Sequence, residues 1–221
     1  MDACGTTQTR IKGSRMNVLG LDMSSQKSGY SLFSQGKLVD YGLWENHEKD
    51  WRERIAYMAM CVADYCRTHA IHEMYVEDVP PTIDNSQTVK VLSALQGMLI
   101  ATALQFDIHI KFVPVKTWKS KIGINLASSK ENNTYKKLAK QNHPKELNKL
   151  KGWVKAWEKK LSVDYANHTF GTELVYQSPS SKFNQDDIAD SINIAWSQIG
   201  DVKQYDLETF EDIMNHLYEC L

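Results

Sequence analysis

Four carboxylates set the chemistry this chain could perform: Asp22, Glu77, Asp187 and Asp190. Asp22 closes the apolar run Asn17-Val-Leu-Gly-Leu-Asp22, and Glu77 closes Met74-Tyr-Val-Glu77. The other two lie three apart in Gln185-Asp-Asp-Ile-Ala-Asp190. A carboxylate at the end of a buried strand is costly unless something cationic meets it. Three segments distant in sequence each present one, and a shared divalent metal site is the economical explanation. Metal among carboxylates suits phosphoryl transfer, because hard cations on oxygen ligands activate water and stabilise the leaving oxygen. Asp186 lies in the first helical turn, where orphan N–H groups favour a carboxylate, and is expected to act as a cap.

The elements that must position these groups follow from periodicity. Residues 18–22, 29–34 and 37–44 read as three short strands. Gln35-Gly36 can make a tight hairpin turn, so the three are expected to form an antiparallel meander. Apolar spacings of three and four predict helices over 50–68 and 86–105. They alternate with strands at 74–77 and 108–113, and Pro80-Pro81 forces an extended turn after Glu77. This order predicts an α/β fold, a mixed five-stranded sheet flanked by helices. Beyond Val115 the pattern becomes helical and basic, with two helices expected over 128–162 broken at His143-Pro144. A loop follows over 170–185, then a helix over 186–198 burying Ile188, Ile192, Ala195 and Ile199. A last amphipathic helix is expected over 206–218.

The net charge of −1 over 221 residues conceals an asymmetry. Residues 119–160 hold twelve lysines against three acidic residues, whereas 201–221 hold six acidic residues against Lys203 alone. A basic block in a near-neutral protein points to a polyanionic partner, most often nucleic acid. Trp118 borders it and Trp153 and Trp157 lie within it, and aromatics among lysines suit a surface that stacks bases while neutralising phosphates. Packing between helices is the alternative for Trp153 and Trp157. The four cysteines form no CxxC pair, so neither a disulfide framework nor a zinc site is expected, and the setting is expected to be reducing and cytoplasmic. No apolar run approaches the roughly 20 residues of a bilayer span, and 1–15 reads as a disordered lead-in without a secretory pattern.

At these residues the sequence resembles the RuvC-type Holliday junction resolvases. Asn17-Val-Leu-Gly-Leu-Asp22-Met-Ser-Ser-Gln-Lys-Ser-Gly29-Tyr30 is similar to that family's first strand and turn. Tyr75-Val-Glu77-Asp-Val with the helix after Asn85 is similar to its second acidic motif. Lys119-Ser-Lys121-Ile-Gly123-Ile with Ser128-Ser-Lys130 is similar to its basic segment, and Asp187-Ile-Ala-Asp190 to its last helix. The resemblance implies an RNase H-like fold over 16–200, with a basic helical insert at about 124–185 and an acidic C-terminal helix at 201–221. It implies a homodimer that cuts branched DNA, four-way junctions above all, using two Mg2+ or Mn2+ ions per site and leaving 5′-phosphate ends. Asp22, Glu77, Asp187 and Asp190 would be the ligands, and Lys119, Lys121, Lys130, Lys136 and Lys137 would meet DNA. Two departures stand out: Val79-Pro80-Pro81 replaces an aromatic insertion residue, and the insert is long, as in divergent phage or viral members. Alternatives are an RNase H-fold nuclease acting on flaps or RNA–DNA hybrids, a sugar-kinase-like ATPase, and a non-catalytic DNA-binding protein.

Overall fold

In the computed structural model the described residues are 16–79, 85–124, 137, 147–178 and 181–202, with the helical backbone alone for 147–156. Five strands form one sheet: β1 (Asn17–Asp22), β2 (Lys27–Ser34), β3 (Lys37–Glu45), β4 (Glu73–Glu77) and β5 (His109–Val113). Their order is β3-β2-β1-β4-β5. β1–β2 and β2–β3 pair antiparallel, while β1–β4 and β4–β5 pair parallel. The meander and the mixed sheet are therefore as expected. Gln35 and Gly36 both adopt positive φ, the conformation that a two-residue hairpin turn needs to match strand twist.

Five helices complete the described fold: α1 (Trp51–His69), α2 (Ser86–Gln105), α3 (Val115–Lys121), α4 (Leu147–Phe170) and α5 (Asp186–Ile199). Asp50 caps α1 by accepting from the Arg52 N–H, and Asn85 caps α2 by accepting from Gln87 and Thr88. Side chains alternate across each strand, and this divides the core in two. Leu19, Leu21, Met74 and Val76 point to one face, where Val62 and Cys66 of α1 and Leu99 and Ala103 of α2 cover them. Val18, Phe33 and Tyr75 point to the other, against Trp118 of α3, Leu161 and Tyr165 of α4, and Ile188, Ile192 and Ala195 of α5. Asp22 and Glu77 continue the parity of this second face.

Two differences from expectation concern the helices. α4 runs to Phe170 rather than ending near Ser162, and Leu161, Val163, Tyr165 and Ala166 are buried in the main core. The C-terminal half of the expected basic insert is thus part of the core, because its lysines cease after Lys160 and an apolar face begins. α2 is long and apolar enough, by length and composition, to cross a membrane, contrary to the expectation that no stretch approaches a bilayer span. In the structure its Leu95, Leu99, Thr102 and Ala103 are buried, while Ile100 and Leu104 are exposed.

Two glycines explain how closely α5 approaches the sheet. A Cβ on Gly29 would lie 1.9 Å from the Asp187 carbonyl oxygen, and one on Gly20 would lie 2.3 Å from that of Ser191. Only residues without a side chain allow the helix to lie this close. The Ser31 hydroxyl donates to the Ser191 carbonyl at 3.0 Å and fixes the approach. The N-terminal turns of α5 are thereby held over the ends of β1 and β2.

Candidate active site

β1 and β4 are neighbouring parallel strands in which Leu21 pairs with Val76. Asp22 and Glu77, one residue further along, leave the sheet side by side on the α5 face. α5 brings Asp187 and Asp190, three apart and so on one side of the helix. Asp22 lies within electrostatic reach of Glu77, Asp187 and Asp190, and Glu77 within reach of Asp187 and Asp190. Burial raises the Asp22 carboxyl well above the ordinary range, and Glu77, Asp190 and Asp187 raise it further. Glu77 and Asp187 are also raised, chiefly by burial. Asp190 is pushed up to about 7, chiefly by burial, with Lys119 and the Ser162 hydroxyl pulling the other way. Each keeps some exposed surface, so the cluster opens to solvent while lost hydration dominates its titration.

Three of the four have their own hydrogen-bond donor. The Trp118 indole N–H donates to Glu77 Oε2 at 3.2 Å. The Lys27 ammonium reaches Asp187 Oδ2 at 3.1 Å. The Ser162 hydroxyl, on α4, donates to Asp190 Oδ1. Ser162 is itself held by Asn193, whose Nδ2 donates to its carbonyl and hydroxyl oxygens at 2.9 and 2.8 Å. Among the described residues Asp22 has no such donor, and its titration is raised well above the ordinary range.

Lysines surround the cluster. Lys119 is only 9% exposed; its ammonium lies 3.5 Å from Glu158 and lowers the Glu77 and Asp190 carboxyls. It faces the carboxylates rather than an outer DNA-facing surface. Lys121 points elsewhere, donating to the Ser197 carbonyl at the far end of α5 at 3.0 Å. Lys137 is exposed. Lys130 and Lys136 lie outside the described residues, as do Pro80-Pro81 and the expected helix at 206–218.

Two expectations need correction. Gln185, not Asp186, occupies the N-cap of α5, and no side chain caps there. Asp186 is buried at 4% exposure and its carboxylate binds the Lys159 ammonium, so the strongest cation nearby, not the helix terminus, decides its orientation. Trp118 cannot stack on bases, because it is fully buried and its polar edge is committed to Glu77. Trp157 is partly buried against the main core. Lys27, Lys159 and Ser162 were not recognisable as site residues. The only sign was that Lys27 follows Asp22 within the turn.

Chemically, the arrangement offers hard oxygen donors whose own repulsion and burial disfavour their charge, the condition that a divalent cation relieves. The donor set fits Mg2+ or Mn2+. Among the described residues no three His, Cys, Asp or Glu side chains stand close enough together to hold one metal ion as they are. The like charges stand apart, three of them each on its own donor.

No protein-family profile matches the chain, and no curated protein does. Solved structures do. Thermus thermophilus RuvC in complex with a Holliday junction substrate aligns with a TM-score of 0.56 at 10% identity, over 82% of this chain and 92% of that one. Thermus thermophilus RuvC alone gives 0.52 at 13% identity, over 82% and 92%. The Fowlpox virus resolvase with Holliday junction DNA gives 0.46 at 14% identity, over 83% and 96%. For the two RuvC structures, at 10% and 13% identity, the likeness is one of fold: the RNase H-like mixed sheet flanked by helices.

Proposed function

We propose that this protein is a divalent-metal-dependent, structure-selective endonuclease that hydrolyses phosphodiester bonds in four-way DNA junctions. Asp22, Glu77, Asp187 and Asp190 would hold two Mg2+ or Mn2+ ions. The observation that carries the reading is the convergence of these four carboxylates, each raised by burial and Asp22 also by the other three, at the ends of β1 and β4 and the start of α5. The RNase H-like fold shared with Thermus thermophilus RuvC supports it.

Bound divalent ions would supply a Lewis acid for the phosphoryl oxygens and a water acidified towards neutrality. The protein's own groups do the rest. Trp118 holds Glu77 in one orientation, and Ser162, braced by Asn193, holds Asp190. Such supporting donors typically matter about 10–100-fold in metal affinity or activity. Lys119, which is drawn to Glu77 and Asp190, places a positive charge beside the carboxylates. Symmetric cutting of two strands requires two sites, so the active species is a homodimer.

The test compares four-way junctions with flaps, forks, RNA–DNA hybrid and linear duplex in Mg2+ or Mn2+. Wild type should cut junctions best, and Asp22→Asn or Asp187→Asn should abolish cutting while folding and junction binding persist. Cleavage by either variant at the wild-type rate refutes the reading. Preference for hybrid or flap would keep the fold and the metal chemistry but change the substrate.

A further inference from the structure

Beside the carboxylates lies a groove of about 620 Å³ that shares only Asp187 with the four-carboxylate site. Lys27, Lys159, Lys182, His47 and Asn184 line it, together with Glu45, Asp186 and Asp187. Two of its ammonium groups are positioned by tethers. Lys27 is fixed between Asp187 Oδ2 at 3.1 Å and the Asn184 carbonyl at 2.9 Å, and its side chain is 29% exposed. Lys159 is tied to Asp186 and its side chain is 40% exposed. An ammonium has three donors, so Lys27 keeps one and Lys159 keeps others for an incoming group. Lys182 is exposed at the rim.

We infer that this groove is a phosphate-backbone subsite: it seats phosphates of the DNA strand next to the scissile one, with Lys27, Lys159 and Lys182 as the cations that meet them. The inference rests on the endonuclease reading above. Two features favour a phosphodiester chain over a small anion: the groove is several times larger than one phosphate, and it is open, with three lysines among its lining residues. Among its described lining residues there is no Phe, Tyr or Trp and His47 is the one exposed ring, so the interaction acts through charge rather than through an aromatic stacking platform. In charge the three lysines are matched by Glu45, Asp186 and Asp187. A divalent ion taking up the Asp187 charge therefore leaves the groove net positive, and its phosphate affinity rises with metal.

The experiment measures binding of a fluorescent four-way junction, in Ca2+ and in EDTA, across a range of salt concentrations. Lys182→Ala and Lys27→Gln should each weaken binding about 3–10-fold in Ca2+ and lower the salt slope by roughly 0.9 for each phosphate no longer neutralised. The effect should be smaller in EDTA. Lys182→Ala should leave Mn2+ uptake by the DNA-free protein unchanged, and Lys37→Ala, at the opposite end of the β2–β3 hairpin, should bind as wild type. Wild-type affinity and slope in both groove variants, with wild type still cutting junctions, overturns the groove and leaves the endonuclease standing. Wild type that neither binds nor cuts branched DNA overturns the endonuclease reading and the groove with it.

Discussion

Replacing Asp190 by asparagine should make the metal-free protein more stable while destroying its activity. The Asp190 carboxyl titrates at about 7, against an ordinary value of 3.8, chiefly because burial removes hydration from its charged form. That difference of about 3 units corresponds to about 4 kcal/mol against the ionised form in the folded state. Since Asp190 keeps some exposure to solvent, this is a ceiling. The amide oxygen can still accept from Ser162, and Lys119 retains Glu158 and Glu77 as partners. Asp190→Asn should therefore gain about 2–4 kcal/mol at pH 8 in EDTA, roughly 5–15 °C in Tm for a chain of this size. The sign follows from linkage. Between about pH 4 and 7 the folded state holds the proton and the unfolded chain does not, so wild-type stability falls as pH rises through that window and stays low above it. The advantage of the variant should shrink below pH 7 and vanish near pH 4. Urea denaturation at pH 8, 6 and 4 reads this directly. A variant that is no more stable than wild type at pH 8, or whose advantage does not change with pH, refutes the electrostatic account of the site.

Trp118→Phe removes the one indole donor to Glu77 from a fully buried position. It should weaken Mn2+ affinity about 10–100-fold and cost about 1–3 kcal/mol of stability, measured by calorimetry and denaturation. Ser162→Ala takes the hydroxyl from Asp190; because that donor lowers the carboxyl, the rise of the cleavage rate with pH should move to higher pH, with Ser162→Thr restoring it. Gly29→Ala puts a methyl group 1.9 Å from the Asp187 carbonyl oxygen and should cost at least about 3 kcal/mol, with α5 displaced and cleavage abolished. An alanine variant as stable as wild type would mean that α5 does not rest on that glycine.

Much of the site was legible because it depends on local parity. Alternation along β1 and β4 places Asp22 and Glu77 on one face, and a three-residue interval on a helix places Asp187 with Asp190. The two glycines were visible as a pattern, but their purpose, admitting α5 to the sheet, appears only when the helix is docked. The donors to the carboxylates were hidden for the same reason. Lys27 and Asp187 are 160 residues apart, Trp118 and Glu77 are 41 apart, and Ser162 and Asp190 are 28 apart. No local period reports pairings at such separations. Trp118 and Lys119 illustrate the cost of judging by composition: both sit in a lysine-rich block, yet each faces inward. The lysine pattern up to Lys160 masks the apolar positions that follow it, so the sequence alone does not show α4 running on to Phe170.

The proposed chemistry requires the four carboxylates to bind divalent cations together. Calorimetric titration of Mn2+ into the full chain at pH 8 and at pH 6, beside Asp22→Asn, tests that without any assumption about DNA. Wild type should take up Mn2+ saturably at pH 8, more weakly at pH 6 because protons compete for raised carboxyls, and Asp22→Asn should lose most of that binding while remaining folded. Absence of uptake by wild type at pH 8, or equal uptake by the folded Asp22→Asn protein, would contradict it.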